Sequence, residues 1–434
     1  MQARALIVAI LALGLPSGAW AEDTRVLSSG RVASDATDTE GETIGGIGSA
    51  IEVVPDGVVM LSDRGAGDGM IDYRPRLQFL QMQREGTKLI LTPKRTVILR
   101  DSNDRAFTGL FPDKPEAEPP QRTDGRMCLD PEGLALAPNG NIFLSEEYLP
   151  SVREFSPDGK FLRRFETPAE LVPRTSRGTT DFATDDEKAV ASGRQPNRGF
   201  EGLALLPDGR LAALLQSGLA QDGGRRAGSA RLIIFDVATG RATAAYRVPF
   251  SEVAAINAAA PEGKRIEAKH LAFSSLTALP DGRLLALERE NFGADGTSNR
   301  DIARWKAVVL LDLRGAGDIL GREDITAAAP VQREVLFNLA ALDVPGLPRE
   351  DFPAKWEGLA IVGLTGDRIR LLLSSDNDFL NPHLSLRNAA GEMSDTPFPR
   401  AERAQDTWIV EVETTLPPAP FSASRSSYQP KQIP

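Results

Sequence analysis

At 434 residues and 41% hydrophobic content, the chain carries enough apolar side chain for one large core or several smaller ones, and it reads as a globular protein. Its net charge of −10, from 60 acidic and 50 basic residues, excludes a surface that wraps a nucleic acid, because phosphate-backbone recognition needs a broad basic field. The single cysteine, Cys128, excludes an intrachain disulfide framework, so stability is expected from the core, with bound metal as a further source.

The N-terminus "MQARALIVAILALGLPSGAWAED" combines Arg4, a short apolar run from Ala5 to Leu15, and small residues at Ala19 and Ala21. That layout predicts a secretory signal peptide over residues 1–21, cleaved after Ala21, and a periplasmic or secreted protein. The run is too short to span a bilayer, and no later stretch is apolar enough, so no integral membrane segment is expected in the mature chain. Residues 22–43 read as an N-terminal segment, 44–413 as one domain, and 414–434 as a Pro/Ser-rich tail.

Within the domain, one unit recurs: apolar strand, Pro-(Asp/Asn)-Gly turn, apolar strand. Its copies are "GSAIEVVPDGVVMLSDRG" from Gly48, "EGLALAPNGNIFLSEE" from Glu132, "EGLALLPDGRLAALLQS" from Glu201 and "SSLTALPDGRLLALERE" from Ser274, with a fifth from Glu357 whose turn is "GLTGD". Each is a β-hairpin signal, since Asp-Gly and Asn-Gly supply the positive φ that a tight turn needs. Further strand-like runs are "RLIIFDV" from Arg231, "WKAVVLLDL" from Trp305 and "TWIVEVE" from Thr407, whereas helical periodicity is clear only in "SEVAAINAAAPEG" from Ser251. These elements predict an all-β fold, a single-domain β-propeller of five or six blades, with a large β-sandwich as the alternative.

Hairpin arithmetic then locates the polar residues. With a two-residue turn centred between Asp208 and Gly209, Glu201 is expected opposite Gln216. The same rule sets Glu132 opposite Glu147, Ser275 opposite Glu288 and Ala50 opposite Asp63, and it places Glu357 near Ser374 to Asp376. All lie at the hairpin end away from the turn, which in a propeller is one rim of the central channel. Several carboxylates facing each other there repel and resist ionisation unless a cation or basic groups neutralise them. Alternatively, each glutamate caps its own strand and serves blade architecture.

The phrases "DPEGLALAPNGNIFLSEEY", "NRGFEGLALLPDGRLAALLQS" and "KWEGLAIV", with "SSDND" at Ser374 to Asp378, resemble the phytase-like domain family, labelled "esterase-like activity of phytase", over roughly Ile44 to Val412. The resemblance implies an exported β-propeller and a hydrolase. The sequence lacks the Asp-Ala-Pro-Ala-type phrases of calcium-dependent propeller phytases, so phytate does not carry over as substrate.

Read as chemistry, the rim divides into three candidate groups. Glu132, Glu201, Glu288 and Glu357 are candidate catalytic carboxylates, and Arg64, Arg198, Lys269, Arg289 and Lys355 are candidate holders of a small anionic or ester substrate. Asp63, Asp130, Glu147, Asp376 and Asn377 are hard oxygen donors suited to calcium, which would polarise an ester oxygen and help activate water. The expected activity is metal-assisted hydrolysis of phosphate or carboxylate esters; a ligand-binding propeller without catalysis and a calcium-dependent lactonase-type propeller are the alternatives. A serine triad is disfavoured, because the histidines are only His270 and His383 and no Gly-x-Ser-x-Gly elbow occurs. Asp63, Asp68 and Asp72 in "SDRGAGDGMIDYRPR" do not match EF-hand spacing and read as a blade-connecting loop. The long loops from Phe111 and from Val172 each lead into an EGL hairpin and are expected to overhang the same rim.

Overall fold

A computed structural model describes residues 23–259, 263–295, 301–322, 324–387, 391–398 and 402–419. The expected signal peptide and the tail past residue 419 lie outside the described residues.

Strand β1 (Arg25–Val32) comes first, followed by a four-stranded meander of β2 (Ala50–Val54), β3 (Gly57–Leu61), β4 (Arg76–Glu85) and β5 (Lys88–Ile98). Three more meanders follow: β6 (Pro131–Leu136) with β7 (Ile142–Glu146), β8 (Ser151–Phe155) and β9 (Phe161–Arg164); β10 (Phe200–Leu205) with β11 (Leu211–Leu215), β12 (Ser229–Asp236) and β13 (Arg241–Pro249); and, after the short helix α1 (Val253–Ala259), β14 (Ala272–Ala278) with β15 (Leu284–Arg289), β16 (Lys306–Asp312) and β17 (Gln332–Asn338). The last group is β18 (Trp356–Thr365) and β19 (Arg368–Ser375), then the excursion β20 (His383–Arg387) and β21 (Met393–Pro397), then β22 (Thr407–Thr415). Its order is β18-β19-β22-β1, so the first strand of the chain closes the last sheet, with Val32 opposite Thr407 and Val26 opposite Val412. Residues 25–32 are therefore part of the propeller, not a segment ahead of it; a closing strand takes its register from its partner, and its own sequence does not announce that role.

The innermost strands β2, β6, β10, β14 and β18 neighbour one another in a closed cycle, which makes the fold a β-propeller with apolar clusters wedged between successive sheets. Among the described residues, no helix is long and apolar enough to cross a membrane.

The turns differ from the two-residue expectation in a way that moves the site. At "PNG" and both "PDG" turns of β6–β7, β10–β11 and β14–β15, the pairing runs Ala137 to Asn141, Leu206 to Arg210 and Leu279 to Arg283, so each loop has three residues. The glycines, at φ 85°, 86° and 85°, take the left-handed position. Each Asn or Asp side chain accepts from the amide two residues on, as Asp208 does from Arg210 at 3.1 Å. The register shifts by one, and a β-bulge at the other end of each hairpin shifts it by one more. Phe200 faces Leu215 and Gly202 faces Leu214, which leaves Glu201 as the extra residue; Glu132, Ser274 and Glu357 occupy the same place in β6, β14 and β18.

The residue after the bulge explains the rest of the E-G-L phrase. A Cβ on Gly133 would lie 2.5 Å from the carbonyl oxygen of Glu201, one on Gly202 2.9 Å from the backbone nitrogen of Leu276, and one on Gly358 2.8 Å from a methyl of Ile51. Glycine there lets the innermost strands of adjacent sheets approach closely around the channel. Gly202→Ala is therefore expected to lower the unfolding free energy by about 1–3 kcal/mol. Gly228→Ala, where a Cβ meets nothing within 4 Å, is expected to be nearly neutral. Urea unfolding of the two variants checks this, and equal midpoints would refute the close-approach role.

Candidate functional site

The bulges turn the E-G-L glutamates out of the hairpin ladder and into the channel mouth. There a cavity of about 170 Å³ is lined by the carboxylates of Asp63, Asp68, Glu132, Glu147, Glu201 and Glu357, and by the cations Arg64, Arg198, Arg225, Arg289 and Lys355. Asn197, Gln216 and Asn291 complete the wall. Every one of the five innermost hairpins contributes, because its first strand starts and its second strand ends at this rim.

The acidic side is built from two carboxylate groups. One oxygen each from Asp130, Glu132 and Glu147 lie within 4.8 Å of one another, and so do oxygens of Asp63, Asp376 and Asp378. Burial and mutual repulsion act together on them. Burial and then the Glu201 and Asp130 charges push Glu132 well above the usual carboxylate range, and burial with Glu147 and Glu357 does the same to Glu201. Asp63 is raised in the same way by burial, Asp376 and Asp130. Glu147 is raised to about 7 by burial and Asp130, against the pull of Arg64, and Asp376 to about 8 by burial and Glu357.

Several of these groups are anchored. Asp130 accepts from the Arg64 guanidinium at 2.9 Å and from its backbone amide at 3.2 Å, and Arg64 lies over the Phe111 ring at 5.0 Å. Glu147 Oε1 accepts from the Gly199 amide at 2.7 Å, and Asp63 Oδ1 from the Gly65 amide at 2.7 Å. Lys355 Nζ donates to Asp378 at 2.6 Å, and Arg289 donates to both Glu357 and Asn291. The Arg289 charge holds Glu357 below the usual range despite its burial. Glu201 differs: its Oε2 is buried and has no hydrogen-bond partner among the described residues.

Five sequence-derived candidates are not in the cavity lining: Asp130 and Asp376 belong to the two carboxylate groups beside it, and three others stand apart from both. Glu288 is opposite Phe273, where Ser275 was expected, and its carboxylate accepts from the Ser251 amide at 2.7 Å and Trp305 Nε1 at 2.8 Å, with Arg333 at 3.2 Å. The three-residue loop and the bulge together move its partner by two residues, and its carboxylate is held within the sheet packing and does not line the cavity. Lys269 is half-buried and pairs with Glu267 at 3.2 Å. Asn377 is spent on local structure: its Oδ1 accepts from the Gly46 amide at 2.8 Å and its Nδ2 donates to the Gln405 carbonyl at 2.9 Å. Ser274, at the fourth bulge, donates to the Trp356 carbonyl at 2.8 Å and so ties two sheets together. Asp68 pairs with Arg64 at 3.3 Å and Asp72 with Arg126 at 2.6 Å, so these loop acids separate.

Sequence reasoning placed Gln216 at the rim but missed Arg225 and Asn291. Arg225 stands on the 219–228 loop, and the signal was that this Gly-rich basic loop follows a strand ending at the rim. The long loop from Val172 reaches the same place, since Glu187 pairs with Arg225 at 2.5 Å.

The raised carboxylates set a pH dependence. In the unfolded chain they titrate near 4.5 or 3.8, and in the fold Glu147 and Asp376 titrate at about 7 and about 8. Between those limits the native state holds more protons than the unfolded one, so stability falls as pH rises. Metal-free protein is expected to melt at a lower temperature at pH 8 than at pH 5.5, and Glu132→Gln to reduce the difference. A melting temperature that rises over this interval would contradict the shared-burial origin of the shifts.

In comparisons with known proteins, the chain is 29% identical over 327 residues to an uncharacterized secreted protein of Arthroderma benhamiae, covering 60% of this chain and 62% of that relative's length. Among solved structures, an aldose sugar dehydrogenase from Streptomyces coelicolor matches at TM-score 0.30 and 12% identity, over 90% of this chain and 98% of that one. A GH43 β-1,3-galactosidase matches at TM-score 0.39 and 9% identity, over 80% and 58%. The model of the phytase-like family, described as "Esterase-like activity of phytase", matches residues 42–379, and the chain belongs to that family.

Proposed function

We propose that the protein is an exported hydrolase that cleaves phosphate or carboxylate esters at the rim cavity. The observation that carries the reading is the Glu201 Oε2 atom, a buried acceptor without a partner among the described residues, beside the Asp130, Glu132 and Glu147 cluster. A buried polar atom left unmade costs about 1–3 kcal/mol, so its retention favours a ligand at that point. Family membership supports the hydrolase class. The N-terminal apolar run and the secreted label on the fungal relative support export.

The donor set fits a hard divalent cation. Asp130, Glu132 and Glu147, with the free oxygen of Glu201, are all-oxygen ligands of the kind calcium takes, and neutralising them would relieve the repulsion that raises their pKa values. Calcium held there would supply polarisation of an ester oxygen and a more acidic water. The chain's own part is proton handling and positioning. Glu147 Oε1 is committed to the Gly199 amide, which leaves Oε2 to carry a proton at about neutral pH without a cation and to give it up to a cation that binds. Arg64 orients Asp130, and the Arg289–Glu357 and Lys355–Asp378 pairs hold the opposite wall. Those neutralised pairs also favour a second reading, a propeller that binds an anionic ligand without cleaving it.

The test uses mature protein stripped with chelator and then given calcium, assayed on aryl phosphate and aryl acetate esters. Calcium-dependent turnover and a higher melting temperature are expected, with Glu201→Gln lowering kcat about 100-fold or more while the fold is kept. A calcium-dependent melting shift without turnover would select the binding reading. No shift and no turnover would remove the metal site as well.

A further inference from the structure

Of the five cations lining the cavity, four hold carboxylates: Arg64 with Asp130, Arg225 with Glu187, Arg289 with Glu357 and Lys355 with Asp378. Arg198 has no ion pair or side-chain hydrogen bond among the described residues, although it is only 8% exposed. Such a guanidinium carries an uncompensated charge at depth. Burial, then the Arg225 and Arg289 charges, lower Arg198 to about 10; the Glu147 and Glu201 charges oppose this, but neither carboxylate forms an ion pair with it. Two amides line the cavity with it. Gln216 is 6% exposed with no side-chain partner among the described residues, and Asn197, at φ 51°, takes the left-handed conformation that asparagine tolerates.

We propose that Arg198, Asn197 and Gln216, flanked by Arg225 and Arg289, form an oxyanion subsite that holds the acid group of the substrate, a phosphate or a carboxylate, beside the carboxylate cluster. The assignment rests on the rim cavity being the site proposed above, and it deepens that reading by naming the residues that would hold the acid group. A planar guanidinium presents two parallel N–H donors to two oxygens of such a group, and the amides add neutral donors that a dianion accepts from without further charge. The small volume admits one acid group, so a larger substrate would leave its remainder at the channel mouth.

Binding is read without turnover, by calorimetric titration of the mature protein with inorganic phosphate and, separately, with acetate, at fixed ionic strength. Saturable phosphate binding is expected in the wild type, weakened about 10- to 100-fold in Arg198→Gln and about 3- to 10-fold in Gln216→Leu. Acetate competing at the same site would identify the carboxylate as the natural group, and phosphate alone would identify the phosphate. Glu201→Gln is expected to keep or strengthen phosphate binding while losing turnover, which separates failure of the subsite from failure of the hydrolase reading. Wild-type protein that binds neither anion, or wild-type affinity in Arg198→Gln, overturns the assignment; if Arg198→Gln does not fold, unchanged affinity in Gln216→Leu does so.

Discussion

Close backbone approach around the channel axis is the constraint on which the rest of this structure depends. Adjacent innermost strands pack so tightly that Gly133, Gly202 and Gly358 leave no room for a Cβ, and the serines Ser145, Ser274 and Ser374 donate to carbonyls of the next sheet. A bulge immediately before each of these positions gives the strand its extra residue and a stronger local twist. In three of the four bulges that residue is a glutamate. One backbone device therefore both packs the propeller and feeds carboxylates into its mouth, and a charge at the start of a buried strand ceases to be an anomaly.

Much of this was legible in the sequence. The repeated strand–turn–strand phrase with Asp-Gly or Asn-Gly carried the all-β propeller, and the clustering of Glu132, Glu201 and Glu357 at one rim followed from hairpin geometry alone. What failed was the register, by one residue at the loop and one more at the bulge. A three-residue loop cannot be told from a two-residue one by its Pro-Asp-Gly letters, and a bulge leaves no compositional mark. That error placed Glu288 on the rim, although its side chain is satisfied by Ser251, Trp305 and Arg333 inside the sheet packing. Arg225 and Asn291 were invisible for a different reason: they reach the cavity from connecting loops, whose path depends on tertiary packing and not on local periodicity.

The glutamates at equivalent bulges have diverged in state even though the backbone presents them alike. Glu357 is held below the usual range because Arg289 donates to it, whereas burial and then the charges of other carboxylates raise Glu132 and Glu201. The difference originates one sheet away: the fourth hairpin supplies Arg289 at the end of β15 and has Ser274 at its bulge, so its share of the rim is basic. Replacing one carboxylate by a serine and setting an arginine beside the next one converts a ring of like charges into a polarised cavity.

That polarity couples the two ligand positions in the site. A cation at Asp130, Glu132 and Glu147 would lower the potential that raises Glu201, and an oxyanion at Arg198 would offset the repulsion among Arg198, Arg225 and Arg289. On the proposed reading the two ligands lie beside each other in a low-dielectric space, where Coulomb attraction is far stronger than in water. By linkage, each must then tighten the binding of the other by the same factor. The protein on its own tolerates the arrangement by leaving several carboxylates protonated, and the protons released as a cation binds are the same ones that make the empty rim less stable as pH rises.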